Sequence, residues 1–293
     1  MKKNTIKQKI TPLIAVLFVL LVLYVVILIF PLIWAIVSSL KADIDFRNNL
    51  FGLPRKWQFS NYTDAITGFF VPVESGNSFR NVYMFEQFFN SLLYATGCAF
   101  TATFVPCFVG YLTAKFRYKF SGILTAVVII CLTLPVVGSL PSEIRMAKLF
   151  GLYDRVWGMW VMKANFLSMY LLVFQGVFRG VPNEFIEAAK IDGAGNLRIF
   201  LRIMFPLVSQ TFLTVFLLNF IAFWNDYQTP LIFMPNVPTV SYGLYLFNRK
   251  TEGQFSTIPM KLTGSVLVFL PILVIFCVFQ KRLVGNITVG GLK

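Results

Sequence analysis

Between Thr11 and Ser39 lie 29 consecutive residues without an Asp, Glu, Lys or Arg. As a helix such a run is about 43 Å long, more than the roughly 30 Å of hydrocarbon in a bilayer. A water-solvated domain has no use for so long a charge-free stretch, and here the pattern recurs. Further apolar runs cover 89–114, 122–139, 157–178, 206–224 and 262–279, with Lys163 the one charge inside them. Each is close to the twenty residues that a helical crossing needs, and none alternates as a barrel strand would. Charged residues make up 13% of the chain, about half the usual share for a soluble domain. The expected fold class is an all-α integral membrane protein with six transmembrane helices in a single domain, 1–293. The first run is too long for a signal-peptide core and no Ala-x-Ala site follows, so it is expected to be retained. Pro31, Trp34 and Lys41 at its far end suit interfacial anchors. Pro106, Pro135 and Pro271 are expected to bend or locally unwind the helices that hold them.

The net charge of +14 belongs to topology. Segments 1–11, 115–120, 179–205 and 281–293 hold 14 of the 26 Lys and Arg in 57 residues, whereas 41–88, 142–155 and 225–261 hold 11 in 99 residues. The positive-inside rule then places both termini and the 179–205 loop in the cytoplasm, with 41–88 and 225–261 extracellular. No basic stripe interleaves with aromatics, so nucleic acid is not an expected partner. Histidine is absent, which removes the commonest metal ligand and general base. Cys98, Cys107, Cys131 and Cys277 lie inside apolar runs without metal or disulfide spacing and read as buried small hydrophobes. No catalytic residue and no metal site is expected.

The 27-residue loop 179–205 carries seven charges: Arg179, Glu184, Glu187, Lys190, Asp192, Arg198 and Arg202. Each would cost about 2.5–3.5 kcal/mol at a bilayer centre, so the loop does not cross. Yet Phe185, Ile186, Ile191, Leu197, Ile199, Phe200, Leu201, Ile203 and Met204 are too many apolar residues for a solvated linker. Such a segment wants a protein partner. Pro182 suits a first helical position, and Glu184 and Glu187 favour the positive end of a helix. Ala188 and Ala189 offer a small face, Gly193 and Gly195 break the helix, and an apolar stripe restarts towards Pro206.

The spacing Glu187-Ala188-Ala189, three residues, Gly193, nine residues, Ile203, two residues, Pro206 resembles the EAA loop of the membrane subunits of binding-protein-dependent ABC importers. The string from Glu187 to Ala194 looks like the carbohydrate branch, and the tail from Gln280 to Lys293 is similar to that of the shorter maltose-permease membrane subunit. Pro31 to Lys41 and Trp224-Asn225-Asp226 also sit where the family has familiar residues. Phe205 departs from the pattern, which more often has Leu there.

This resemblance implies an ABC type I importer permease fold and a bacterial cell-membrane location. It implies that 179–205 couples to a separate ATPase through Glu187, Ala188, Ala189, Asp192, Gly193 and Pro206. It also implies that Gly290, Gly291 and Lys293 reach the ATPase. Implied partners are a second homologous permease subunit, two ATPase subunits, an extracellular solute-binding protein and the lipid bilayer. ATP and Mg would belong to the ATPase, and no cofactor to this chain. The sequence contains no Gly-x-x-x-x-Gly-Lys-Ser/Thr loop that could cradle phosphates. Carbohydrate delivered by the binding protein, which the outer segments 225–261 and 41–87 would touch, is the expected cargo, and a polar solute such as glycerol phosphate is the alternative. An ion-gradient transporter would favour ionisable residues near mid-membrane and inverted repeats, neither of which is evident. Asn90, Gln175, Asn219, Trp224, Asn225 and Tyr227 are translocation-path candidates. Hydrogen bonding between helices accounts for the same polar side chains equally well.

Overall fold

The computed structural model describes residues 12–284 except 77, 117–118 and 135–137. Among the described residues the chain is mostly helical, and four helices are long and apolar enough to cross a membrane. The chain divides into two compact units: 1–68 with 248–267, and 69–247 with 268–293.

The first unit contains α1 (Pro12–Ser39), α2 (Asp43–Asn48), α3 (Ser60–Gly68), a short 3-10 turn (Gln254–Ser256) and the start of a long helix from Ile258. The apolar side chains of α1 from Leu13 to Ile33 stay exposed along its length, which suits lipid or another subunit and not water. Lys41 is not a surface anchor. Its side chain is buried and its ammonium donates to the carbonyls of Asn49 and Leu50, at 2.6 and 3.3 Å. These are carbonyls at the negative end of α2, where a cation is favoured. Trp34 donates to the same Leu50 carbonyl at 2.9 Å, and Thr263 donates to Ser39 at 3.0 Å.

The second unit opens with a hairpin, β1 (Phe70–Ser75) and β2 (Ser78–Tyr83), paired antiparallel from Phe70↔Tyr83 to Ser75↔Ser78. Its spine is α4 (Met84–Lys115), followed by α5 (Lys119–Thr133), α6 (Leu140–Leu149), α7 (Val156–Lys163) and α8 (Met169–Gly180). Then come α9 (Glu184–Ile191), α10 (Asn196–Ile199), a π-helical turn (Phe200–Met204), α11 (Phe205–Asn225), α12 (Gln228–Phe233) and α13 (Val240–Asn248). The final helix, α14 (Ile258–Val284), contributes to both units. At the crossing of α4 and α8, a Cβ on Gly110 would lie 2.9 Å from the Phe174 Cβ and 3.0 Å from the Gln175 backbone nitrogen. Only a glycine lets the two backbones come so close.

Several expected elements differ. The 157–178 run is two helices, with Ala164–Ser168 non-helical between α7 and α8. Asn165 and Ser168 interrupt the apolar run, and such side chains compete with helical backbone bonds. The 122–139 run is helical only to Thr133, two residues before Pro135, because the residue ahead of a proline is driven from the α region. Pro135 itself lies outside the described residues. Helix α4 starts at Met84 and α14 at Ile258, each earlier than hydropathy suggested, and both run unbroken through Pro106 and Pro271. Segments 41–88 and 225–261 are built from helices and a hairpin where loops were expected. Cys98 and Cys107 are buried, whereas Cys131 and Cys277 are exposed on this chain.

Candidate functional site

The segment after α8 forms an elbow whose two sides differ in chemistry. Lys115, in the last turn of α4, donates to the Asn183 side-chain oxygen at 2.9 Å and also to the Val181 carbonyl. That clamp fixes the chain just before α9 begins. Glu184 and Glu187 occupy the first turn of α9 and Lys190 its last, each sign matched to the helix dipole.

Gly193 ends α9 with a φ of +75°. Its N–H donates to the Lys190 carbonyl at 3.0 Å, and that of Ala194 to Ala189 at 2.9 Å. This pair of bonds is a Schellman closure, which requires a left-handed residue at the turn. Gly195 then leads into α10, and the helix widens into a π turn just ahead of Pro206. Pro206 cannot donate to the carbonyl four residues back, and its ring crowds that carbonyl, so a wider turn relieves the clash.

Inward, Ile186, Ala189, Ile199, Phe200 and Met204 join the core formed by Cys107, Tyr111, Phe174 and Phe178. Phe200, fully buried, lies with its ring 5.0 Å from those of both Phe108 and Tyr111. Outward, Phe185, Ile191, Leu197 and Leu201 stay exposed, Ile191 to 86%. Glu187, Ala188, Asp192, Arg198 and Arg202 share that exposure. Ala189 therefore turns into this chain, and the expected small contact face reduces to Ala188. The apolar strip beside it carries more of the exposed area. Pro206 is exposed and shapes the turn. Gly290, Gly291 and Lys293 lie outside the described residues.

The translocation-path candidates are not gathered into one site. Asn90 donates to the Pro238 carbonyl at 3.1 Å, Gln175 to Thr125 at 3.0 Å and Asn219 to Thr103 at 3.0 Å. These three tie elements together. Trp224 is buried against Phe88 and Phe220, so its ring is covered by this chain's own aromatics. Asn225 is exposed and donates to Ile221 of its own helix at 2.8 Å. Tyr227 is exposed and stacks on Tyr245 at 4.6 Å. Asp226 accepts from the Tyr94 hydroxyl and the Thr229 N–H, both at 3.0 Å, and so fastens the end of α11 to α4. The described residues contain no cluster of His, Cys, Asp and Glu fit to hold a metal.

The elbow is sealed to its own bundle on one side and presents a mixed apolar and charged face on the other. Residues 107–289 match the family of binding-protein-dependent transport system inner membrane components. The chain belongs to that family. This permease is a transport subunit and a multi-pass membrane protein, and importers of this class work with a second permease, an ATPase and a binding protein. It is 26% identical over 279 residues to the diacetylchitobiose uptake system permease protein of Streptomyces coelicolor, covering 94% of this chain and 87% of that one. It is 28% identical to the arabinooligosaccharides transport system permease protein of Bacillus subtilis, covering 90% of each. With the maltodextrin transport system permease protein of the same organism it shares 31% over 209 residues, 70% of this chain and 74% of that one. A crystal structure of a bacterial ABC transporter involved in the import of the acidic polysaccharide alginate superposes with a TM-score of 0.73. The identity there is 21%, and the match covers 91% of this permease and 95% of that chain. That likeness establishes the shared fold.

Two residues of the site were missed by sequence reasoning. Lys115 looked like one loop cation among several, because its partners Val181 and Asn183 are 66 and 68 positions away in the chain. Asp226 was noted only as part of a familiar tripeptide.

Proposed function

We propose that this permease forms half of the translocation pathway of an ATP-driven importer for an oligosaccharide, delivered by an extracellular solute-binding protein. It crosses the bacterial plasma membrane six times with both termini in the cytoplasm. A second permease subunit completes the pathway, and one of two ATPase subunits, which carry ATP and Mg, grips the elbow within 179–205. The observation that carries this reading is the exposed strip Phe185, Ala188, Ile191, Leu197 and Leu201 flanked by Glu187 and Asp192, on a segment too polar for lipid. The relatives' own cargoes, which are di- and oligosaccharides by name, support a carbohydrate. On the elbow, Glu187 and Asp192 supply charged contacts, Ala188 lets the partner surface approach, and Gly193 with Pro206 sets the shape. Ala189 holds the helix to this chain. Tyr227, stacked and exposed, is the residue best placed to meet a sugar ring, with Asn225 beside it.

The length of α4 supports the sidedness. Its 32 residues span about 48 Å, with the elbow clamped at Lys115 and the hairpin attached at Tyr83. That exceeds the roughly 30 Å of hydrocarbon, so elbow and hairpin lie on opposite sides of the membrane. Uptake of labelled oligosaccharides by the reconstituted complex tests the reading. Accumulation that needs both ATP and the binding protein is expected. Uptake driven by an ion gradient without ATP would overturn it.

A further inference from the structure

The hairpin at the end of α4 remote from the elbow has one edge closed and one edge open. Val71, Val73 and Val82 on one face are buried with Tyr242 of α13, which fixes the hairpin to the body of its unit. The register Ser75↔Ser78 closes over two residues, so the pairs 75/78, 73/80 and 71/82 exchange ladder bonds. An independent contact agrees: the Glu74 N–H leaves the sheet and donates to Asn236 Oδ1 at 3.0 Å. Phe70, Pro72 and Glu74 on β1, and Phe79 and Asn81 on β2, therefore turn their main-chain groups to the outer edges.

The β1 edge is closed, because Pro72 has no N–H and that of Glu74 is taken. On β2, nothing among the described residues pairs with the outward main-chain groups of Phe79 and Asn81. Beside them the Phe79 ring is 77% exposed and that of Tyr83 about half exposed. An unpaired edge offers main-chain donors and acceptors that an arriving strand can use.

Resting on the importer reading, we propose that the β2 edge receives an extended segment of the extracellular solute-binding protein as a third strand. Main-chain bonds to Phe79 and Asn81 supply the register and the Phe79 ring the anchor. A strand this short suits a partner that docks and leaves, and not a permanent subunit with a large apolar interface. The hairpin also lies on the side of the membrane opposite the elbow, where a cargo carrier arrives.

The test uses the complete importer in nanodiscs and the solute-binding protein of the same complex. Amide exchange at Phe79 and Asn81 should slow at least tenfold when that protein is added. Asn81→Pro removes an N–H that the hairpin does not use, and should weaken its Kd at least tenfold while the ATPase still co-purifies. Asn81→Thr keeps the N–H and should bind within twofold of wild type. Unchanged exchange at both amides overturns the proposal, as does protection already present before the binding protein is added. Should Asn81→Pro fail to assemble, the exchange measurement on wild type decides alone. A wild-type complex that holds no ATPase refutes the importer reading itself, which is a separate result.

Discussion

Lys115 donates from its ammonium to the Asn183 side-chain oxygen at 2.9 Å, which ties the C-terminal end of α4 to the start of α9. A movement imposed on α9 is thereby passed to the longest helix of its unit without an intervening flexible linker. Replacing Lys115 with Met should leave the complex assembled but lower ATP-coupled uptake several-fold. Amide exchange across 183–192 should rise in the same variant. Unchanged exchange there would show that the clamp does not hold the elbow.

Gly193 has open space where a Cβ would stand, so a side chain costs only backbone strain, about 1–2 kcal/mol at a left-handed position. Gly193→Val should unwind the end of α9 and reduce ATPase co-purification several-fold. Gly193→Asn should keep most of it, since Asn tolerates that conformation. Equal losses in both variants would mean that the turn geometry is not the cause.

Phe200 anchors the elbow to the bundle. Truncation to Ala removes a fully buried ring and should cost about 3–5 kcal/mol of stability, read as a lower thermal midpoint in detergent. Leu201→Ala, at an exposed neighbour, should leave that midpoint within a few degrees while weakening ATPase association.

Asn219 donates to Thr103 and acts as a tie between α11 and α4. Asn219→Leu should destabilise by about 1 kcal/mol and leave the transport KM within twofold. A tenfold rise in KM with unchanged stability would return Asn219 to the pathway. Tyr227→Ala is expected to do the reverse, raising KM with little effect on stability.

Much of this was legible in the sequence because a bilayer writes in long runs. The 29 charge-free residues from Thr11 forecast α1 to within a residue, and the mixed composition of 179–205 matched a segment with one buried and one exposed side. The turn at Gly193 followed from glycine's freedom at positive φ. Other features were hidden for physical reasons. Hydropathy averages over a window, so Asn165 and Ser168 could not signal the break between α7 and α8. Periodicity in a stretch of eight residues could not say that Ala189 faces inward and Ala188 outward, because that depends on where Tyr111 and Phe178 stand. The hairpin escaped for a similar reason, since Val71, Val73 and Val82 acquire their buried face from Tyr242, Leu231 and Leu246, which come far later in the chain.

The central claim is that the outer strip of α9 is gripped by the ATPase on the cytoplasmic side. A photocrosslinking residue placed at Ile191 in the assembled complex tests it, with Ala189 as the inward-facing control. A crosslink from Ile191 to the ATPase, and none from Ala189, is the predicted result. Capture of Ile191 by the extracellular binding protein, or by nothing at all, would contradict it.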